Sequence, residues 1–116
     1  LRERVVGHRG LPCAAPENTI SALRAAAAAG LRWVEFDVQL SADGVPVVLH
    51  DATLDRTTDG TGLVSAQSLA ALRRLDAGAW FEREEFGSSE FEGEHLPTLG
   101  EYVAECERLI RSCVGR

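Results

Sequence analysis

The sequence contains no lysine. All 12 of its basic residues are arginine, so no side chain can supply an ammonium group and every cationic role falls to a guanidinium. Acids outnumber bases 18 to 12, a net charge of −6, which argues against a nucleic-acid backbone or an anionic membrane surface as the main partner. Long apolar runs are absent as well. Nothing approaches the roughly 20 residues that a transmembrane helix needs. Residues 25–29 are alanine only and end at Gly30, which reads as helix rather than span. Leu1, Arg2, Glu3 and Arg4 include neither an initiator Met nor a hydrophobic signal region, so a processed product or a piece of a longer chain is expected. Cysteine is scarce. Cys13, Cys106 and Cys113 are odd in number and lack C-x-x-C spacing, so they read as reduced structural thiols in a cytoplasmic protein. No repeat, low-complexity tract or linker divides the 116 residues, and the chain reads as one unit.

Residues 33–51 organise the rest. Trp33, Glu35, Asp37 and Gln39 alternate with Val34, Phe36, Val38 and Leu40, the period of a strand over residues 33–40. Asp43-Gly44 supplies a two-residue hairpin turn, and residues 45–50 return as a strand rich in β-branched side chains. Pro46 cannot donate to a ladder, which makes the return an edge strand. Counting inward from that turn sets Ala42 against Val45, Gln39 against Val48 and Asp37 against His50. Alternation alone also fits a half-solvated antiparallel sheet without chemistry. The two acids weigh the other way: Asp is depleted in strands, and like charges on one face repel unless a cation lies between them. Two carboxylates suit a hard divalent metal, Mg²⁺ or Ca²⁺, better than zinc.

Upstream, residues 4–8 form a short strand that runs into His8-Arg9-Gly10, followed by a loop. Asn18 is placed to cap a helix whose Ile20, Leu23 and Ala27 share one face, with Gly30 as its left-handed stop. Strand, helix and the strand at Trp33 make a βαβ unit, which predicts a parallel pair and a right-handed crossover. Downstream, residues 52–62 read as a polar surface loop whose Gly60 and Gly62 either form a plain turn or cradle a phosphate. Ser65 or Ser68 starts a short helix through Leu69, Leu72 and Leu75 that stops near Gly78. Residues 79–95 are an irregular loop anchored by Trp80, Phe81, Phe86 and Phe91. Thr98-Leu99-Gly100-Glu101 is a capping box. It opens a helix whose apolar stripe runs from Leu99 and Tyr102 through Val103, Cys106, Leu109 and Ile110 to Cys113, and that stripe needs a sheet to pack on.

A lone histidine is more often structural than chemical, and a lone arginine is more often a solvated charge. Position argues otherwise for His8 and Arg9, which end the first strand. That places them at the C-terminal edge of a parallel pair, where α/β architectures carry their ligands. His50 ends the return strand beside the acid pair. His95 lies in the acidic loop and takes no role. Two imidazoles, one guanidinium and a carboxylate-held cation suffice for phosphodiester cleavage. The cation and Arg9 would neutralise the non-bridging oxygens, one histidine would take a proton from the nucleophile, and the other would protonate the leaving oxygen.

The ordered set His8-Arg9-Gly10, Pro16-Glu17-Asn18-Thr19, Glu35-Phe36-Asp37, Asp43-Gly44 to His50-Asp51, Leu54-Asp55-Arg56-Thr57 and Gly60-Thr61-Gly62 resembles the glycerophosphodiester phosphodiesterase family. The resemblance continues through Leu75-Asp76-Ala77-Gly78 and Leu96-Pro97-Thr98-Leu99. It implies an α/β fold, the N-terminal portion of a (β/α)₈ TIM-type barrel with a β-hairpin and small insertion after the second strand. It implies metal-dependent hydrolysis of a small-molecule glycerophosphodiester to glycerol 3-phosphate and an alcohol. The family route uses the glycerol 2-hydroxyl as internal nucleophile and opens the resulting cyclic phosphate with water. By the same resemblance, His8 and His50 are the acid/base pair, Arg9 is the phosphate contact, and Glu35 and Asp37 are two ligands of the divalent metal.

Two features depart from the family. A (β/α)₈ barrel needs about 250 residues, and the family's next strand brings a Glu-x-Lys segment with a third metal carboxylate and a phosphate-binding lysine. No such segment occurs in these 116 residues: without lysine the phosphate-binding role cannot be filled, and Glu101 and Glu105, in an amphipathic helix, are poor substitutes for the third carboxylate. Residues 1–116 are therefore expected to form one partial domain that is at best weakly active. The alternative is a non-catalytic remnant that binds a phosphoester or a protein partner. A related lyase that releases the cyclic phosphate would differ only in the last step.

Overall fold

The computed structural model describes residues 5–81 and 89–114, the side chains of Cys113 and Val114 aside; Phe86 and the Cys113 side chain lie outside that set. Strand β1 (Val6–His8), helix α1 (Ile20–Ala28) and strand β2 (Trp33–Glu35) form the expected unit. β1 and β2 run parallel, with Val6 beside Trp33, Gly7 beside Val34 and His8 beside Glu35. Gly30, at φ +84, ends the turn after α1 as expected. The cap is Thr19, not Asn18: Thr19 has the extended backbone a cap requires and its hydroxyl accepts from the Ala22 N–H at 3.2 Å. Asn18 sits in the left-handed region at φ +58 and cannot fill that position. The buried face of α1 is Ala22, Leu23 and Ala26, while Ile20 and Ala27 are half-buried.

The expected strand over residues 33–40 is two strands. β2 ends at Glu35, and β3 (Val38–Leu40) begins a separate antiparallel sheet with β4 (Pro46–Val48). Between them the Phe36 ring leaves the sheet to pack on Tyr102, centroids 4.4 Å apart. The hairpin register is also one residue away from the count. Val38 faces Val48, Gln39 faces Val47 and Leu40 faces Pro46. The cause is a three-residue loop, Ala42-Asp43-Gly44, closed by Ser41 N–H to the Val45 carbonyl at 3.0 Å, with Gly44 supplying the left-handed residue at φ +79. Asp37 therefore lies opposite Leu49, whose N–H donates to its carbonyl at 3.0 Å, and not opposite His50.

β4 is buried on both faces, so the half-solvated reading fails for it. Val47 joins a cluster with Leu49, Leu54, Val64, Leu72, Ala77 and Leu96, while Val48 faces the other way into a cluster with Leu23 and Tyr102. Pro46 is tolerated as the first residue of its strand. The far side of β4 is not free either, because Val48 N–H donates to the Pro97 carbonyl at 2.9 Å and Val47 bridges Thr98. The loop over residues 52–62 is closed by a Thr53–Leu63 bridge and pinned by Leu54, Thr57 and Thr58, all buried. A short 3₁₀ turn, Val64–Ala66, leads to helix α2 (Leu69–Leu72), capped by Ser68. Trp80, Phe81 and Phe91 stack edge to face in the aromatic loop.

Helix α3 (Leu99–Val114) opens on the expected box: Glu101 N–H donates to Thr98 Oγ1 at 3.1 Å, and Thr98 N–H donates to Glu101 Oε1 at 2.9 Å. Tyr102 is fully buried at its base, but Val103 and Ile110 on the expected stripe are exposed. α3 packs on α1 and β4. A buried acid, Glu105, replaces an apolar side chain at the α1 contact and accepts from Arg24 Nε at 2.5 Å and from Arg108 at 2.7 Å. No helix among the described residues is long and apolar enough to cross a membrane.

Candidate active site

The carboxyl ends of β1 and β2 gather four of the five residues singled out from the sequence. His8 and Glu35 are ladder neighbours, and His8 Nε2 lies 3.4 Å from Glu35 Oε2. The next residue, Arg9, adopts φ +58 while its N–H continues the ladder to the Glu35 carbonyl at 2.8 Å. Such a backbone costs of order 1–3 kcal/mol in a non-glycine residue. It turns the Arg9 side chain back over the sheet end, where Nε lies 3.4 Å from Asp37 Oδ2 and Nη1 donates to Glu17 Oε2 at 3.1 Å. A second left-handed residue supports it. Asn18 N–H donates to the Arg9 carbonyl at 2.9 Å, and its side-chain amide donates to Asp37 Oδ2 at 3.0 Å.

His50 stands in a second group. Its Nδ1 meets Asp51 Oδ1 at 2.7 Å, and Arg56 grips Asp51 from the loop below, Nε to Oδ2 and Nη2 to Oδ1, both at 2.9 Å. Arg56 also donates to both oxygens of Glu17, at 2.8 and 3.0 Å. Glu17 thereby joins the two groups, since its Oε2 also accepts from Arg9. Hydrogen bonds from Arg56 and then His50 hold the Asp51 carboxyl well below the usual carboxylate range. Burial disfavours charge on Glu17, but Arg56 and Arg9 outweigh it and hold that carboxyl below its ordinary value. The Arg56 guanidinium is in turn pushed above its usual range by Asp51 and Glu17.

The carboxylates offer a metal what it would need, in part. Glu35 Oε1 is buried and has no hydrogen-bond partner, a lone pair that a cation satisfies and a hard oxygen donor of the kind Mg²⁺ and Ca²⁺ take. Among the described residues no three His, Cys, Asp or Glu side chains converge as a metal-holding group. Glu35 and Asp37 thus fit a divalent ion as a partial set, completed by water or other oxygens. Gly60 and Gly62 do not cradle an anion: their N–H groups donate to Thr58 Oγ1 and Asp55 Oδ1, at 3.0 and 3.1 Å, which is the plain turn.

Glu17, Asp51 and Arg56 are the residues that spacing arguments left without a role, and Asn18 was read only as a helix cap. Their only signal was membership of the Pro16-Glu17-Asn18-Thr19, His50-Asp51 and Leu54-Asp55-Arg56-Thr57 segments. Nothing local links Glu17 to Arg56 across 39 positions of chain.

Comparison with known proteins bears on the chain as a whole. Residues 8–111 match the Glycerophosphoryl diester phosphodiesterase family. A curated bovine relative, glycerophosphodiester phosphodiesterase 1, is 45% identical over 107 residues, which are 90% of this chain and 31% of the relative. A glycerophosphodiester phosphodiesterase of Caldanaerobacter subterraneus is 44% identical over 87% of this chain and 39% of its own length. The chain thus spans about a third of the curated relatives it matches. Among solved structures, a phosphodiesterase of Oleispira antarctica in complex with the product sn-glycerol-3-phosphate superposes with a TM-score of 0.82 at 44% identity, covering 90% of this chain and 40% of that one. The glycerophosphodiester phosphodiesterase of Agrobacterium tumefaciens gives 0.81 at 42% identity, over 90% and 42%. The alternating strands and helices described above correspond to the N-terminal part of that barrel, not yet closed. With residues 8–111 matched by the family and relatives 44–45% identical over most of its length, this chain is a member of the glycerophosphodiester phosphodiesterase family.

Proposed function

We propose that these residues form part of a site that hydrolyses glycerophosphodiesters to glycerol 3-phosphate and an alcohol. The observation that carries the reading is the convergence of His8, Arg9, Glu35 and Asp37 at one sheet end, beside an unpartnered buried carboxylate oxygen. Arg9 binds the non-bridging phosphate oxygens. Its Nε makes no hydrogen bond within the chain and lies 3.4 Å from Asp37 Oδ2, which keeps the guanidinium at the sheet end. His8 and His50 divide the proton transfers: one accepts from the glycerol 2-hydroxyl as it attacks, the other donates to the departing alkoxide. Water then opens the cyclic phosphate with the roles reversed. Glu35 and Asp37 would hold a divalent ion, Mg²⁺ or Ca²⁺, which supplies further neutralisation of phosphate charge.

The test is release of glycerol 3-phosphate from glycerophosphocholine by the purified chain, with divalent metal, with chelator, and with His8→Ala. Slow release that stops under both treatments is the expected result. Metal-dependent binding of glycerol 3-phosphate without turnover would replace hydrolysis with the phosphoester-binding reading. Neither binding nor turnover would sink both.

A further inference from the structure

The proposed chemistry uses His50 and Arg9 but leaves Arg56 idle, although Arg56 bonds the carboxylate partner of each, Asp51 and Glu17. We infer that Arg56 is a positioning residue: it fixes the His50 ring through Asp51 and the Arg9 guanidinium through Glu17, and so sets the proton-transfer group against the phosphate contact. This rests on the roles just proposed for His50 and Arg9.

Three guanidinium nitrogens of Arg56 make four hydrogen bonds to four carboxylate oxygens, two on Asp51 and two on Glu17, all between 2.8 and 3.0 Å. Both contacts are fork to fork, a geometry that a planar guanidinium satisfies and a lysine ammonium does not. Each carboxylate then passes the constraint on, Asp51 Oδ1 to His50 Nδ1 at 2.7 Å and Glu17 Oε2 to Arg9 Nη1 at 3.1 Å. The result is a chain of alternating charge, Arg9–Glu17–Arg56–Asp51–His50, joining the loop after β1 to the loop after β4.

A surface ion-pair network often contributes nothing measurable. Two features separate this one from that case. The Glu17, Arg9 and Asp51 side chains are only 11, 18 and 24% exposed, so solvent screens the carboxylates less than it does the half-exposed Arg56 and His50, at 47 and 44%. The backbone around Arg56 is also anchored, because Leu54, Thr57 and Thr58 are buried on either side of it. Asp51 is ionised and can only accept, so the His50 Nδ1 must carry the hydrogen and Nε2 is the nitrogen left for substrate. Without Arg56, Asp51 is free to rotate away, and the ring loses both its orientation and its tautomer.

The experiment is a long-range ¹H–¹⁵N correlation on the 116-residue chain with ¹⁵N-labelled histidine, at about pH 9, where imidazole is neutral. His50 is expected as the Nδ1–H tautomer. Arg56→Met and Arg56→Lys should both lose that pattern and give averaged nitrogens, with His8 and His95 as unchanged internal references. Low-millimolar guanidinium added to Arg56→Ala should restore it, and ammonium should not. If Arg56→Met does not fold, Asp51→Asn reads the same ring and should likewise lose the Nδ1–H pattern. A ring that is Nε2–H in the parent, or indifferent to these changes, overturns the inference. The measurement needs no turnover. An inactive chain with an Arg56-dependent tautomer therefore counts against the hydrolase reading alone, and an active chain with an indifferent ring counts against Arg56 alone.

Discussion

A Cβ added to Gly10 would lie 2.7 Å from the Ala22 carbonyl carbon, and the residue already sits at φ +94. Gly44 has a similar backbone, φ +79, but nothing lies within 4 Å of its missing Cβ. The two alanine substitutions should therefore separate. Gly44→Ala meets only the left-handed penalty, about 1 kcal/mol. Gly10→Ala adds a clash with the α1 backbone and should cost about 3 kcal/mol in all. Urea unfolding midpoints of the two variants check this. A second pair tests the cap. Thr19→Ala removes an N-cap acceptor and should lower stability by about 1 kcal/mol. Asn18→Gly suits the left-handed backbone and leaves that cap intact, but takes the amide away from Asp37. It should weaken binding of glycerol 3-phosphate more than it lowers the unfolding midpoint. At this scale His8 and Arg9 were legible because they end the first strand, and Glu35 and Asp37 because two acids alternate on one face of an otherwise apolar strand. Asn18 was legible as a polar residue before a helix but not as a left-handed one, since φ is set by the Arg9 carbonyl that its N–H must reach.

The contact between α1 and α3 carries a pH dependence. Hydrogen bonds from Arg108, and then Arg24, outweigh the effect of burial and hold the Glu105 carboxyl down at about 2. The folded value lies below the ordinary 4.5, so the stabilisation is complete above about pH 4.5 and is lost as pH falls toward 2. Glu17, Asp51, Asp76 and Glu101 are depressed in the same direction and add to the same loss. Helical circular dichroism followed under urea from pH 6 to pH 3 should show a falling midpoint. Glu105→Gln should lower the unfolding free energy at pH 6 by about 1 kcal/mol and flatten its pH dependence. Boundaries within elements followed local chemistry: the Thr98–Glu101 box and the Gly30 stop were both readable because capping is settled within four residues. Register was not. A two-residue and a three-residue turn share the Asp43-Gly44 pair, and the choice depends on Asp43, which accepts from Ser41 and from the Leu69 N–H 26 residues away.

The whole molecule leaves apolar side chains outside its two clusters. Trp33 is 61% and Ile110 62% exposed, and Val6 and Leu40 are also open. Trp33 lies in β2, an outer strand of a two-stranded sheet, the arrangement that invites edge pairing. Sedimentation velocity on the chain should show association that rises with concentration, and Trp33→Lys should reduce it without changing the monomer's circular dichroism. A chain that stays monomeric at high concentration would contradict this.

Periodicity, caps and turn residues act through neighbours in sequence, and so the sequence by itself determined the parallel pair, the helices, the hairpin and the four polar side chains at the sheet end. The break between β2 and β3, the burial of both faces of β4, and the bridge from Arg9 to His50 were decided by tertiary structure. Each depends on partners distant in the chain: Tyr102 for Phe36, Pro97 for Val48, and Arg56 for Glu17 and Asp51. An ion pair has no period and a packing contact has no motif, so these became visible only when the loops were brought together.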